Sequence, residues 1–383
     1  MKIRLEDCIE TTIDNRGRNP KAYFSQEKYP VIDNFLIKNS LHPDMSAVTR
    51  FIDEETFNNF LRGYIHKDMP IMTLVGNGIG NVTLAPSDEC AIIQNTIGFL
   101  VNEKIDQIYL YYYFLSEQER IRKFDRGSGQ PSIRKTDILA MEIDIPDIKT
   151  QKKIAAILRG VDEKIESNNC INDNLLQQAQ ALYGKFFPYD VADELPVGWR
   201  VGTVGEIVEI HDSKRIPLSG AQRAKMGKRI YPYYGAASLM DYVDDYIFDG
   251  KYLLLGEDGT VIDDAGYPIL QYVWGRFWVN NHAHILTGKR GFNVESLLLL
   301  FKRTPVKSIV TGAVQPKISQ GNLRSVQVVI PPAEKLDAFN ELICPMFDQI
   351  RLNQDQNKAL ASLRDALLPK LMSGEIDVSD IQL

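Results

Sequence analysis

One spacing organises this chain. Gln130-Pro131-Ser132-Ile133 returns as Gln315-Pro316-Lys317-Ile318, and Ile145-Pro146 returns as Ile330-Pro331, each 185 residues later. The same offset relates Ile165 to Ile350, Asn168 to Asn353, Asn172 to Asn357, Leu175 to Leu360, Ala181 to Ala366, Leu182 to Leu367 and Lys185 to Lys370. A gapless offset held from residue 130 to residue 187 marks a tandem duplication. Upstream the match is looser: Tyr29-Pro30 pairs with Tyr231-Pro232, Val75-Gly76 with Leu255-Gly256, and Asn95 with Asn281. A duplicated chain folds twice into one architecture, so each half is a variable body followed by a more similar tail.

The bodies mix β-rich runs with Gly and Asn turns, at residues 72–84, 252–262 and 277–286. Each adds a short apolar helix, at 108–115 and 294–301. These patterns predict α+β domains. The aromatic run Tyr109, Tyr111, Tyr112, Tyr113 and Phe114 reads as core rather than as a platform for stacking bases.

The tails follow another rule. Apolar residues at 154, 158, 161 and 165, and again at 175, 179, 182 and 186, alternate in steps of four and three, and the step of ten between the two runs keeps the frame. Phe339, Ile343, Met346, Ile350, Leu360, Leu367 and Leu371 keep the same frame. This is a heptad seam, which predicts coiled-coil helices. Pro146 and Pro331-Pro332 mark the starts, Pro188 and Gly374 the ends, and Pro369 predicts a bend in the last turn. Each seam carries two asparagines, Asn168 and Asn172, then Asn353 and Asn357. A buried amide without a partner costs about 1–3 kcal/mol, so a core Asn seeks another polar group and thereby sets register. In an antiparallel pair, one register sets Asn168 against Asn357 and Asn172 against Asn353. That register also sets Ile165 against Leu360, Leu158 against Leu367, Ile154 against Leu371, and Arg364 against Val161 with its head reaching water. Helices of this length would run about 50 Å at about 1.5 Å per residue. The alternative is that the four asparagines face water and the helices pack elsewhere.

The chain has 383 residues and a net charge of −6, which by itself argues against a nucleic-acid partner. The distribution says more. Residues 213–240 hold Lys214, Arg215, Arg223, Lys225, Lys228 and Arg229 and no acid, whereas residues 241–264 hold eight acids and only Lys251. Cys8, Cys90, Cys170 and Cys344 are scattered without a Cys-x-x-Cys pair, which disfavours structural zinc and disulfides and fits a reducing cytoplasm. Neither a signal-peptide pattern nor a membrane-length apolar run occurs.

Catalytic motifs are missing too. The chain has no Asn-Pro-Pro-Tyr or Asp-Pro-Pro-Tyr methyltransferase segment, no helicase-type Asp-Glu-x-His, and no P-loop, since the run from Gly220 to Gly227-Lys228 is too long. Gly76-Asn77-Gly78-Ile79-Gly80 reads as a β-turn rather than a nucleotide loop. His282 and His284 share a strand face near Glu257, Asp258, Asp263 and Asp264, but polar packing or DNA contact is the better reading, and no metal is expected.

Several segments carry a family resemblance. Ile145-Pro146-Asp147-Ile148-Lys149-Thr150-Gln151-Lys152-Lys153-Ile154-Ala155-Ala156-Ile157-Leu158, followed by Val161-Asp162-Glu163-Lys164-Ile165-Glu166, resembles the conserved region of specificity subunits of type I restriction–modification enzymes. So do Leu367-Leu368-Pro369-Lys370-Leu371-Met372-Ser373-Gly374-Glu375-Ile376, Leu195-Pro196-Val197-Gly198-Trp199, and Thr311-Gly312-Ala313-Val314-Gln315-Pro316-Lys317-Ile318. The first body lacks the Leu-Pro-x-Gly-Trp lead, and Leu336 stands where the first tail has Gln151. The resemblance spans nearly the whole chain.

The resemblance implies an α+β protein with two tandem target-recognition domains separated by two long antiparallel coiled-coil helices in a pseudo-twofold internal repeat. Residues 1–145 and 195–330 would be the recognition domains, 146–188 and 331–374 the spacer helices, and 375–383 a C-terminal tail. It implies a non-catalytic cytoplasmic subunit that reads a bipartite, asymmetric target in double-stranded DNA. Two methyltransferase subunits would dock on the helices, and restriction subunits would join them. S-adenosylmethionine, ATP and Mg would serve those partners, with no cofactor bound by this chain. A fused methylase–nuclease partner is the alternative. Rivals of other classes are a DNA-modifying enzyme acting alone and a coiled-coil adaptor without a nucleic-acid role.

Arg and Lys neutralise phosphates, and Arg also reads base edges. The expected DNA contacts in the second body are Lys214, Arg215, Arg223, Lys225, Lys228 and Arg229. In the first body they are Arg16, Arg18 and Lys21, with a second cluster of Arg120, Arg122, Lys123 and Arg126 leading to Arg134 and Lys135. The acidic run 241–264 is expected to face away from phosphate or toward a basic partner.

Overall fold

In the computed structural model the described residues are all but Met1, Ser128, Ala313, Gln382 and Leu383. Ala313 of the segment quoted above, the first residue of the first body and the last two of the tail therefore lie outside the described residues. The chain forms two compact units, Met1–Asn169 with Gln354–Leu383, and Cys170–Asn353. Each unit holds one body and one half of each long helix. The division falls inside the helices, rather than at the ends of a separate spacer, because each helix half contributes to the core of its own unit.

In the first unit, four antiparallel strands lie in the order Ile9–Ile13, Thr96–Val101, Pro70–Thr73, Val82–Leu84. The glycine segment predicted as a turn links the last two; Gly76, Gly78 and Gly80 all have positive φ (93°, 85° and 78°), which side chains disfavour. The helix Gln107–Ser116 is capped by Asp106, whose carboxylate accepts from the backbone N–H groups of Ile108 and Tyr109 at 3.0 Å each. It buries Tyr109, Tyr111, Tyr112 and Phe114 completely in the core, together with Ile154, Leu158 and Leu371 of the long helices. Val378 of the C-terminal tail is also buried there, and Lys153 Nζ donates to the Ser379 carbonyl at 2.5 Å.

The second unit repeats this order with Val208–Ile210, Ala283–Gly288, Tyr252–Gly256 and Leu270–Val273. Its helix Val294–Phe301, capped by Asn293, is buried along its whole length. Each body is closed by a matching strand pair: Lys2–Arg4 with Glu142–Asp144 in the first, Arg200–Thr203 with Gln327–Ile330 in the second. The bodies diverge beyond that scaffold. The second adds a sheet ordered Leu239–Val243, Tyr231–Tyr234, Arg276–Val279, Phe248–Asp249, whereas among the described residues the first has a two-stranded pair there, Tyr29–Pro30 with Phe51–Ile52.

The long helices run Ile148–Phe186 and Ala333–Met372, the first starting two residues after Pro146 and the second directly after Pro331-Pro332. Pro369 does not end the second one early; the helix continues to Met372, and Gly374 follows with φ 75°. In the first unit Asn168 Nδ2 donates to Asn357 Oδ1 at 2.8 Å. In the second, Asn353 Nδ2 donates to Asn172 Oδ1 at 2.8 Å. Within each unit the helix halves run antiparallel, since Asp162 meets Arg364 in the first, and Tyr183 and Phe187 meet Phe339 in the second.

Arg364 departs from expectation. Its head does not snorkel to water but bonds the Asp162 carboxylate at 2.7 Å, while Tyr112 Oη donates to the other oxygen at 2.7 Å. Asp162 is nearly fully buried, and a carboxylate there without partners would cost several kcal/mol. Burial opposes the Arg364 charge, but Asp162 and Asp365 outweigh it and leave the guanidinium more basic than usual. The second unit solves the same problem with different residues. Glu295 is buried on the body helix and accepts from Lys251 (2.6 Å), Tyr272 (2.7 Å) and Arg351 (3.0 Å). Gln151 and Leu336 show the same divergence. Gln151 is buried and bonds the Lys104 and Pro146 carbonyls and the Asp106 N–H, whereas Leu336 packs into an apolar core.

Candidate nucleic-acid interface

The basic segment of the second unit starts where Val208–Ile210 leaves the sheet. Of its six cations, Arg215 and Arg223 turn inward, with side chains 13% and 17% exposed. Arg215 bonds Glu257 at 2.6 Å and the Ala283 carbonyl at 2.8 Å. Arg223 lies over the Tyr233 ring and bonds Asp241 at 3.1 Å. Both guanidiniums are thus engaged within the unit. Lys214, Lys225, Lys228 and Arg229 are exposed. Among the described residues no carboxylate lies within ion-pair distance of the three lysines, and Arg229 has only Asp241, at 3.8 Å.

Three acids of the run, Asp241, Asp244 and Glu257, fold onto this basic segment. Asp244 accepts the backbone N–H groups of Gly227, Lys228 and Arg229 at 3.0, 2.7 and 2.7 Å. These donors, that of Arg229 foremost, hold its carboxyl below the usual range. The turn is thereby fixed with Lys225, Lys228 and Arg229 facing out. Beside it the sheet-edge strand Leu239–Val243 leaves Leu239, Met240 and Tyr242 exposed. Exposed cations beside apolar side chains suit a phosphate backbone and the apolar groups of base edges.

Asp212, Glu257 and His284 bring one ligand atom each within 4.8 Å of one another, a spacing that would fit a cation. The donors already there argue for a salt-bridge network instead. His284 Nδ1 faces Asp212 Oδ2 at 2.6 Å and its Nε2 faces the Ile318 carbonyl at 2.8 Å, so both ring nitrogens are turned to acceptors. Gln320 Nε2 donates to Asp212 at 2.6 Å, and Arg215 and Lys317 flank Glu257. Burial pushes the Asp212 carboxyl up, but His284, the Ile285 N–H and Arg215 outweigh it and hold it low.

In the first unit the same strand exit carries Arg16, Arg18 and Lys21. Arg16 grips Asp14 through two bonds of 2.8 and 2.7 Å, and this guanidinium holds the Asp14 carboxyl below its usual range. Arg18 is exposed, its guanidinium 5.5 Å from the Phe60 ring centre, and Lys21 is exposed. Arg120 pairs with Glu117 at 3.3 Å, Arg122 bonds Asn81 at 3.1 Å and Gln118 at 3.3 Å, Lys123 is exposed, and Arg126 pairs with Asp137 at 3.0 Å. Arg16 and the 120–126 cluster share no partner among the described residues. The structure adds Arg62, which sequence reasoning missed. It lies 46 residues from Arg16, with no neighbouring basic residue to signal it, and comes within 3.5 Å of the Arg16 carbonyl.

Residues 1–177 and 196–361 match the family described as type I restriction modification DNA specificity domain. Among curated proteins, the chain is 25% identical over 305 residues to the type I restriction enzyme MjaIX specificity subunit of Methanocaldococcus jannaschii, covering 71% of this chain and 70% of that one. It is 20% identical to the MjaVIII specificity subunit of the same organism, covering 99% and 93% of the two chains. A putative specificity subunit of Haemophilus influenzae, S.HindORF215P, is 30% identical over 136 residues, 36% of this chain and 34% of that one. The crystal structure of the type I restriction–modification S subunit from M. genitalium shares the fold, with a TM-score of 0.62 at 18% identity over 97% and 95% of the chains. With both halves matched by one family and the fold shared over nearly its full length, the chain belongs to the DNA specificity subunits of type I restriction–modification systems, their non-catalytic, DNA-recognising component.

Proposed function

We propose that the two bodies read the two different halves of a split, asymmetric target in double-stranded DNA, the helical segments setting the gap between them. The subunit directs methyltransferase subunits, and through them restriction subunits, to that target. S-adenosylmethionine, ATP and Mg belong to those partners, and the assembly works in the cytoplasm. One observation carries this reading: the bodies share one sheet order but present different cations and loops at the same strand exit. Equal scaffolds with unequal surfaces fit unequal half-sites, as a symmetric dimer fits equal ones.

Co-expression with the cognate methyltransferase, followed by single-molecule mapping of methylated adenines, tests it. The expected motif has two dissimilar specific parts separated by an unspecified stretch of fixed length. A continuous or palindromic motif would overturn the bipartite reading. The purified chain with S-adenosylmethionine or ATP should neither methylate nor cleave duplex DNA.

A further inference from the structure

The corner of the first unit where Ile9–Ile13 leaves the sheet is rigidly built. Asn15 is buried there; it donates to the Gly63 and Ile92 carbonyls at 2.9 Å each and accepts from the Arg62 N–H at 2.8 Å. These bonds fix the backbone of Arg62 beside the strand end. Lys135 approaches from the other side, its Nζ 3.5 Å from Thr12 Oγ1 and 3.9 Å from Asp14 Oδ2. Thr12, Asp14, Arg16, Arg62 and Lys135 line one open recess.

The charges in this recess do not balance. Three cations face one carboxylate, and that carboxylate is already held by Arg16 through two short bonds. Among the described residues, Lys135 reaches Asp14 at 3.9 Å and Thr12 at 3.5 Å, and the Arg62 guanidinium meets just a backbone carbonyl at 3.5 Å, so donor capacity remains. An ammonium, a guanidinium fork and a hydroxyl lining one open recess match the oxygens of a tetrahedral anion. The duplicate position closes the same corner. Residue 320, which is 135 plus the repeat offset, is Gln320, and it bonds Asp212 at 2.6 Å inside a network where two carboxylates offset Arg215 and Lys317.

We propose that this recess is a phosphate-binding site of the first unit. Arg62 and Lys135 are the direct donors, Thr12 supplies the hydroxyl, and Arg16 lends its charge from its seat on Asp14. The ligand is a phosphodiester group of the DNA backbone, an identification that rests on the DNA-reading function proposed above. The site fixes position rather than sequence.

The test uses the full complex with its methyltransferase and the double variant R62Q/K135Q, both side chains lying at the surface. Affinity for duplex DNA is measured from about 50 to 200 mM salt. Loss of one phosphate contact should make the slope of log K against log salt less negative by about 1, equally for cognate and unrelated duplexes. The charge-preserving variant R62K/K135R should keep the wild-type slope. A second arm titrates inorganic phosphate into the wild-type complex and the double variant without DNA. An unchanged DNA slope, with phosphate bound by wild type and not by the variant, would keep the phosphate site but reassign its source to free phosphate. An unchanged slope with no difference in phosphate binding would overturn the site. If the wild-type complex fails to bind duplex DNA at all, the fault lies with the proposed function, and the phosphate titration then decides the recess by itself.

Discussion

Two strand exits occupy the same place in the same sheet order and end in opposite electrostatic states. In the first unit, Asp14 alone answers Arg16, Arg62 and Lys135, and the recess stays open. In the second unit, Asp212 and Glu257 are buried or half-buried among Arg215, His284, Gln320 and Lys317, and nearly every donor has an acceptor. Duplication preserved the scaffold and left the charge balance at this corner to vary. Where carboxylates match cations, the corner serves stability. Where cations are in excess, it remains available to an anion. The second unit carries its exposed cations on the neighbouring turn instead, which Asp244 fixes in place.

The largest test of this contrast is Asp212→Ala. Removing one partner of a buried ionic network leaves its cations uncompensated, at a cost of about 3–5 kcal/mol. Urea unfolding followed by tryptophan fluorescence measures it cleanly, because Trp199, Trp274 and Trp278 all lie in the second unit. Asp14→Ala in the first unit should cost under about 1 kcal/mol, as for a partly exposed pair, read by hydrogen exchange of the strand Ile9–Ile13. Equal losses at the two sites would erase the distinction between a closed corner and an open one.

A smaller difference is expected along the helices. Asn353 uses both ends of its amide, donating to Asn172 and accepting from Gln349 Nε2 at 2.7 Å. Asn168 donates to Asn357 and to Gln356, but its own oxygen is buried without a partner. Asn353→Ala should therefore cost about 1–3 kcal/mol, and Asn168→Ala less, since an unsatisfied acceptor leaves with the lost bonds. Denaturation midpoints of the two variants compare them directly. A greater loss at Asn168 would mean that the two amide pairs play different roles from those their hydrogen bonds show.

The third test concerns DNA. Asp14→Asn removes the one carboxylate among the described residues that line the open recess, so affinity should rise a fewfold, with a steeper salt dependence. Glu257→Gln, in the closed corner, should change the salt slope less than Asp14→Asn does, because its nearest cation, Arg215, is packed inward and also bonds the Ala283 carbonyl. Titrations of the assembled complex at two salt concentrations separate these outcomes, and a response at Glu257 as large as that at Asp14 would break the comparison.

What was legible in the sequence follows from periodicity. The offset of 185 residues gave the two scaffolds, and the steps of four and three gave the long helices, because both are local or translational patterns. The pairing of Asn168 with Asn357 and of Asn172 with Asn353 could be set out in advance because few registers satisfy four amides at once. The destinations of the charges could not. Arg223 meets Asp241 18 residues away and Arg215 meets Glu257 42 residues away, so an acid-free run of sequence concealed two cations already neutralised in space. The seam alone cannot show that Asp162, next to the seam residue Val161, captures the Arg364 head. Arg62 had no signal: an isolated arginine gains meaning only when Asn15 pins its backbone beside the strand end.

The smallest effect is a pH response of opposite sign in the two units. His42 in the first unit sits against Glu166 (2.9 Å) and Asp68 (3.7 Å). Burial lowers its proton affinity, but the two carboxylates outweigh this and raise its pKa above the ordinary 6.5. Its contribution is therefore complete below pH 6.5 and is lost as pH rises through the elevated value. His211 in the second unit bonds Thr287 at 2.7 Å, and burial, followed by Lys214, depresses its pKa below 6.5. The folded state resists that proton, so stability is lost as pH falls from 6.5 toward the depressed value. Unfolding of wild type, His42→Asn and His211→Asn across about pH 5 to 8.5 isolates each histidine. The wild-type advantage over His42→Asn should shrink as pH rises, whereas the advantage over His211→Asn should grow. Tryptophan fluorescence follows the second unit and hydrogen exchange of Thr96–Val101 the first. Slopes of the same sign would show that the two histidines titrate in equivalent surroundings, and that the electrostatic divergence of the two units ends at the strand exit.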